Sequence, residues 1–297
     1  MKAHCYSISL TLTCVALLNQ AITVPLPAQT TTPDVKTLSA GPFSLKAPPQ
    51  WADSILVEKV PANPLYSAAA WKSFNEDSRY TLKPCYANRP QHWAIRFPKL
   101  VLKGEIFDKQ NAGDDPMAPQ IFIHQTDGWS SILENGAFDT KQAAMTRTQL
   151  RESLTAFEGG LPNRLTPAFV DGGLNFISLK KKIQFKGGHG YRFITQWAIE
   201  PDLARRGGLH YLFVGLSDDD SCQIIATFPV DSPDLPSSEA KAEHLGYSNL
   251  RYEELSKNFN VYHNAAVTWI EEHEKDFTPS LDALDRLIES LSAETWR

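Results

Sequence analysis

Cysteines, grouped acids and loop tryptophans are the residues of this chain whose types and spacing bear on chemistry. Four cysteines occur: Cys5, Cys14, Cys85 and Cys222. Cys85 lies in the loop-like stretch LKPCYANRP, and Cys222 opens an apolar run that reads as a strand. A Cys85–Cys222 disulfide would stabilise the fold by roughly 4–5 kcal/mol in the chain-entropy account, because the loop it closes is long. Two unpaired thiols are the other reading, since sequence does not show that the two approach. Asp108, Asp114 and Asp115 share one loop, where carboxylate oxygens could gather a cation or simply face water. Asp218-Asp219-Asp220-Ser221 resembles half of a calcium loop, but it lacks the alternating acid spacing, the central glycine and the distant glutamate. A solvated hairpin turn is the simpler reading. Trp71 and Trp129 fall outside the clear elements and, with the Asp108–Asp115 loop, are the candidate surface contacts.

Other chemistries leave weaker traces. The eight histidines form no His-Glu-x-x-His pair, and no Cys-x-x-Cys is present. His263 and His273 share a predicted helix but stand nearly three turns apart, too far to chelate one ion. No Gly-x-Ser-x-Gly elbow occurs. Gly187-Gly188-His189-Gly190 lies between two strands, so it lacks the helix N-terminus that would bind a phosphate. No catalytic, cofactor-binding or metal-ligating residue is assigned on these grounds. Paired carboxylates for glycoside hydrolysis are decided by separation in space, and 34 acidic residues supply many pairs.

The elements that must position these residues follow from periodicity. Phe43–Leu45, Ile55–Val60, Trp93–Phe97, Val101–Phe107 and Gln120–His124 read as strands. Asn175–Phe185, Tyr191–Ala198, Leu209–Ser217 and Cys222–Val230 form the main sheet, and their short connections favour antiparallel hairpins. In the third, Leu209, Tyr211 and Phe213 point one way, with Leu212, Val214 and Leu216 the other. Both faces are apolar, so both should be covered. Of Lys180-Lys181-Lys182, the outer two should project to one side and the middle one to the other. A helix capped at Asp139 or Thr140 should bury Leu150, Leu154 and Phe157 and end at Gly159-Gly160. Asn249–His273 reads as one helix. A last helix, with Thr278 as cap and Pro279 in its first turn, should bury Leu281, Leu284, Leu287, Ile288 and Leu291. The expected fold class is α+β, a twisted antiparallel sheet flanked by helices, with the C-terminal helices packed on it.

The N-terminus looks like a targeting segment. Lys2 precedes the apolar run Ile8–Leu18, and small residues follow at Ala21 and Ala28. The expected layout is a signal peptide over 1–28, a linker over 29–42, and one α+β domain over 43–297 whose first part, 43–90, is irregular. Export to the periplasm or beyond follows. Membrane contact is expected only if Cys14 were lipidated, and Thr11-Leu12-Thr13 is a poor lipobox. Net charge is −5, which argues against a nucleic-acid partner.

Tyr191–Ala198 (YRFITQWA), Tyr211–Ser217 (YLFVGLS), Ile225–Val230 (IATFPV), Asp234-Leu235-Pro236 and Phe277–Leu291 together resemble a family of uncharacterised exported bacterial proteins of the cyanobacterial type. The resemblance spans about Gln91 to Leu291. One departure is that the family's Asp-Gly hairpin turn is Asp218-Asp219-Asp220-Ser221 here, which argues against a tight two-residue turn. The element order also resembles a PsbP-like α/β/α sandwich, whose members mostly act as accessory or docking subunits. The resemblance implies no known activity. The expectation is therefore a non-catalytic accessory protein binding an envelope protein or a small ligand, without a cofactor. A glycan-directed envelope hydrolase and a small-ligand-binding module are the alternatives.

Overall fold

A computed structural model describes residues 35–62, 90–100, 117–128, 147–159, 173–237 and 243–293. Its strands are β1 (Lys36–Ala40), β2 (Phe43–Ala47), β3 (Leu56–Val60), β4 (His92–Arg96), β5 (Gln120–Gln125), β6 (Gly173–Leu174), β7 (Ser178–Phe185), β8 (Gly188–Thr195), β9 (Trp197–Ala198), β10 (His210–Ser217), β11 (Cys222–Pro229), β12 (Glu243–His244), β13 (Tyr247–Ser248) and β14 (Ser292–Ala293). Its helices are α1 (Pro49–Ala52), α2 (Arg147–Gly159), α3 (Tyr252–Lys257), α4 (Phe259–Glu272) and α5 (Leu281–Glu289). Seven strands form one antiparallel sheet in the order β3-β4-β5-β11-β10-β8-β7. A smaller sheet runs β1-β2-β14. The fold class is α+β, as the periodicity implies.

Both faces of the main sheet are covered. Tyr211, Phe213, Ile194, Ile224 and Phe228 pack in one apolar cluster with Leu281, Leu284, Leu287, Ile288 and Leu291 of the α5 segment and with Phe43 and Leu45 of β2. Leu212, Val214, Leu216, Phe193 and Ile225 pack in another with Leu150, Leu154 and Phe157 of α2. Every residue of β10 and β11 is buried, which is why these strands show no apolar–polar alternation. The lysine run alternates as expected. Lys180 donates to the Phe157 carbonyl at 2.7 Å on the α2 side, and Lys181 reaches Asp285 of α5 at 2.7 Å.

Gly190 and Gly215 are register partners at the sheet centre. A Cβ on Gly190 would stand 2.3 Å from the Val214 carbonyl oxygen and 2.7 Å from Cζ of Phe213. A Cβ on Gly215 would meet the same Phe213 ring at 2.7 Å. The ring therefore lies across a shallow two-glycine depression that any side chain would fill.

Several local expectations are corrected. Lys36–Ala40, inside the stretch read as a linker over 29–42, forms β1, and its Ala40 is buried. Within the first part of the domain, Phe43–Leu45 and Ile55–Val60, read as strands, do fall in β2 and β3, with α1 between them. The helix expected over Asn249–His273 is broken. Asn258 donates from its backbone N–H and its Nδ2 to the Glu254 carbonyl, at 3.1 and 3.0 Å, which ends α3 before α4 starts. Short amide side chains compete with the helical ladder in this way. The cap of α5 is Ser280, not Thr278: its Oγ accepts from the Ala283 N–H at 3.2 Å, and Pro279 precedes the helix. The Asp218–Ser221 connection has four residues, with Asp220 in the left-handed region at φ 55°, consistent with the doubt about a tight turn. The strand expected at Val101–Phe107 and the helix cap at Asp139 or Thr140 lie outside the described residues.

Candidate functional site

Most residues singled out from sequence cannot be placed: Trp71, Cys85, Asp108, Asp114, Asp115 and Trp129 lie outside the described residues, as do the signal segment and Cys14. Cys222 is a free, buried cysteine. Burial pushes its thiol up to about 11, so it stays protonated and unreactive at neutral pH. The Asp218–Ser221 turn uses its acids internally. Asp219 accepts hydrogen bonds from Ser217 Oγ at 2.7 Å, Ser221 Oγ at 2.7 Å and Ser221 N–H at 3.0 Å, which hold its carboxyl below the usual range. Asp220 pairs with Arg151 of α2. These contacts leave that turn structural.

Two charged clusters sit at the C-terminal helical side of the sheet. The first is buried. Asp285 of α5 and Arg192 of β8 have side chains 3% exposed. Asp285 contacts Lys181 Nζ at 2.7 Å, Arg192 Nε at 3.3 Å and the Tyr211 hydroxyl, which donates at 3.0 Å. Arg192 also donates to the Leu179 carbonyl and pairs with Glu274 at 2.8 Å. Two cations thus balance two anions. Burial, reinforced by the Asp285 charge, pushes the Tyr211 phenol well above its ordinary value.

The second cluster is at the surface. Asp234, His273 and Asp276 bring ligand-type atoms within 4.8 Å of one another. His273 ends α4, and Asp276 closes the 3-10 turn Glu274–Asp276. The Asp276 N–H donates to the His273 carbonyl at 3.0 Å, which fixes the two relative to each other. Asp234 comes from the loop after β11. Two backbone hydrogen bonds, Asp231 N–H to the Thr278 carbonyl at 2.9 Å and Thr278 N–H to the Asp231 carbonyl at 2.8 Å, stitch that loop to the chain after the turn. Buried Leu235 and Phe277 anchor both sides. Glu274 ties the turn to Arg192, so the buried cluster holds the surface one in place.

The imidazole of His273 is oriented. Its Nδ1 lies 2.7 Å from the Trp269 carbonyl, a contact that requires Nδ1–H as donor and leaves Nε2 as the nitrogen available to a ligand. The ring stacks on the Trp269 indole, with centroids 4.1 Å apart. The same indole is met edge-on by His244 at 5.1 Å. His244 is buried, its Nδ1 lies 3.0 Å from the Tyr262 hydroxyl, and its Nε2 has no partner. Burial, with repulsion from His273, lowers its pKa to about 4.

Sequence reading tested His273 only against His263. The available signal was the His-x-x-Asp spacing at a helix end, and Asp234 carried no signal at all.

Comparison of the chain with protein-family models and with curated proteins finds no match.

Proposed function

We propose that this chain is an exported, non-catalytic accessory protein of the bacterial cell envelope that docks onto another envelope protein. The observation that carries the reading is a group of large apolar side chains facing solvent. Leu245, Leu250, Tyr252 and Val261 are 40%, 66%, 43% and 62% exposed. They stand on the β12–β13 turn, the 3-10 turn Asn249–Arg251, α3 and α4. Ile199, 77% exposed, adjoins Glu200, which accepts a hydrogen bond from Tyr252. Exposed apolar side chains on adjoining elements favour a protein interface. Export rests on the Ile8–Leu18 run and on the resemblance to exported bacterial proteins, which also favours an accessory role. A glycan hydrolase needs a pair of carboxylates flanking its substrate. Asp285 is the one buried carboxylate among the described residues, and it is committed to Lys181, Arg192 and Tyr211.

A photo-crosslinking residue placed at Leu250 or Val261, in cells of the native source, tests the reading. The expected result is one discrete heavier product from both positions, lost on Tyr252→Glu and absent from a probe at exposed Asp282 on α5. Equal, diffuse labelling from all three positions would overturn it. So would robust hydrolysis of a glycan panel abolished by a single substitution.

A further inference from the structure

We infer that Asp234, His273 and Asp276 form a binding site for a divalent transition-metal cation. The two carboxylates and the imidazole converge within 4.8 Å, although they come from a loop and a helix end far apart in sequence. Metal–ligand bonds of about 2.0–2.2 Å would draw such atoms to roughly 3–3.5 Å from one another. Closure by up to about 1.3–1.8 Å is needed, within reach of two exposed carboxylates. Among the described residues neither Asp234 nor Asp276 has a salt-bridge partner, so two negative groups face each other without internal neutralisation. A cation supplies it.

The orientation of His273 is an independent support. A ligating imidazole ordinarily donates its other N–H to a carbonyl or carboxylate, which fixes the tautomer and aims the free nitrogen at the metal. His273 has this arrangement through Nδ1 and the Trp269 carbonyl. His244, a buried imidazole whose Nε2 has no partner, meets the same Trp269 indole and stands outside the three ligand residues. One nitrogen and two oxygens, with open positions toward solvent, suit zinc, manganese or another first-row divalent ion. They suit calcium less, since it prefers an all-oxygen shell.

The test is isothermal titration of the full chain with Zn2+, and separately with Ca2+, in a non-chelating buffer. Wild type should bind one Zn2+ at this site with micromolar affinity. His273→Gln, Asp234→Asn and Asp276→Asn should each weaken it at least tenfold. Circular dichroism should stay unchanged in all three, and the urea midpoints of Asp234→Asn and Asp276→Asn should stay close to wild type, because those two side chains are exposed and the substitutions keep their shape. The pair Asp114→Asn/Asp115→Asn should bind as wild type does. Absence of binding at millimolar Zn2+, or equal affinity in wild type and the triple variant, would overturn the site. So would Ca2+ binding that is as tight as Zn2+ binding and indifferent to His273→Gln, since carboxylates alone would then account for it.

Discussion

The two charged clusters are neighbours with opposite electrostatic solutions. Beneath α5, Asp285 and Arg192 are nearly sealed from water, and each has its charge matched inside the protein by Lys181, Tyr211 and Glu274. At the surface, Asp234 and Asp276 have no cationic partner among the described residues. The difference is one of dielectric. A buried ion loses several kcal/mol of hydration and persists only if it is paired and hydrogen-bonded. An exposed one remains hydrated, so a protein can leave its neutralisation to water or to an ion. Glu274 joins the two, since its bond to Arg192 steadies the turn that presents Asp276.

The largest test of this contrast is Asp285→Ala, which leaves buried Arg192 with only the half-exposed Glu274 as an ionic partner. Loss of one partner from a buried pair typically costs about 3–5 kcal/mol, read from urea denaturation. A loss under 1 kcal/mol would mean that water reaches the cluster, and the contrast would fail.

Acid titration comes next, because His210 is buried with no salt-bridge partner among the described residues. Desolvation lowers its pKa from 6.5 to about 4 in the folded state, despite its contact with the Gly208 carbonyl. The unfolded chain therefore takes up the proton first as pH falls. The associated stability is fully present above about pH 6.5 and is lost between there and pH 4, by about 3 kcal/mol. His244, also lowered to about 4, acts in the same direction. His210→Gln should flatten the urea midpoint against pH over that window, and an unchanged slope would sink the assignment.

Ser280→Ala removes the cap of the helix that carries Asp285 and should cost about 1 kcal/mol, seen as a lower thermal midpoint. The smallest effect belongs to the surface cluster. Asp234→Asn and Asp276→Asn, without added metal, should stay within about 0.5 kcal/mol of wild type and tend toward stabilisation at low salt, because each relieves a like-charge contact. A clear loss from either would show that these acids hold the fold rather than an ion.

Much of the scaffold was legible in the chain. The two-sided apolar character of Leu209–Ser217 implied a sheet covered on both faces, and each named side chain lies in the expected cluster. The stripe from Leu281 to Leu291 and the alternation of Lys180, Lys181 and Lys182 were equally readable. Caps and breaks were not: Thr278 and Ser280 are chemically alike as caps, and the choice falls to Ser280 because Thr278 is engaged in the backbone bridge to Asp231. The metal-type cluster escaped sequence reading because its members mean nothing until the loop after β11 meets the end of α4.

Sequence alone determined which faces of β10, α2 and α5 are buried, because periods of two and of about 3.6 are imposed by local backbone geometry and repeat wherever the element forms. Only the tertiary structure decided that Arg192 faces Asp285 and that Asp234 stands beside His273 and Asp276. Those pairings join segments remote in the chain, and no local rule fixes which charges meet once the sheet and its helices have packed.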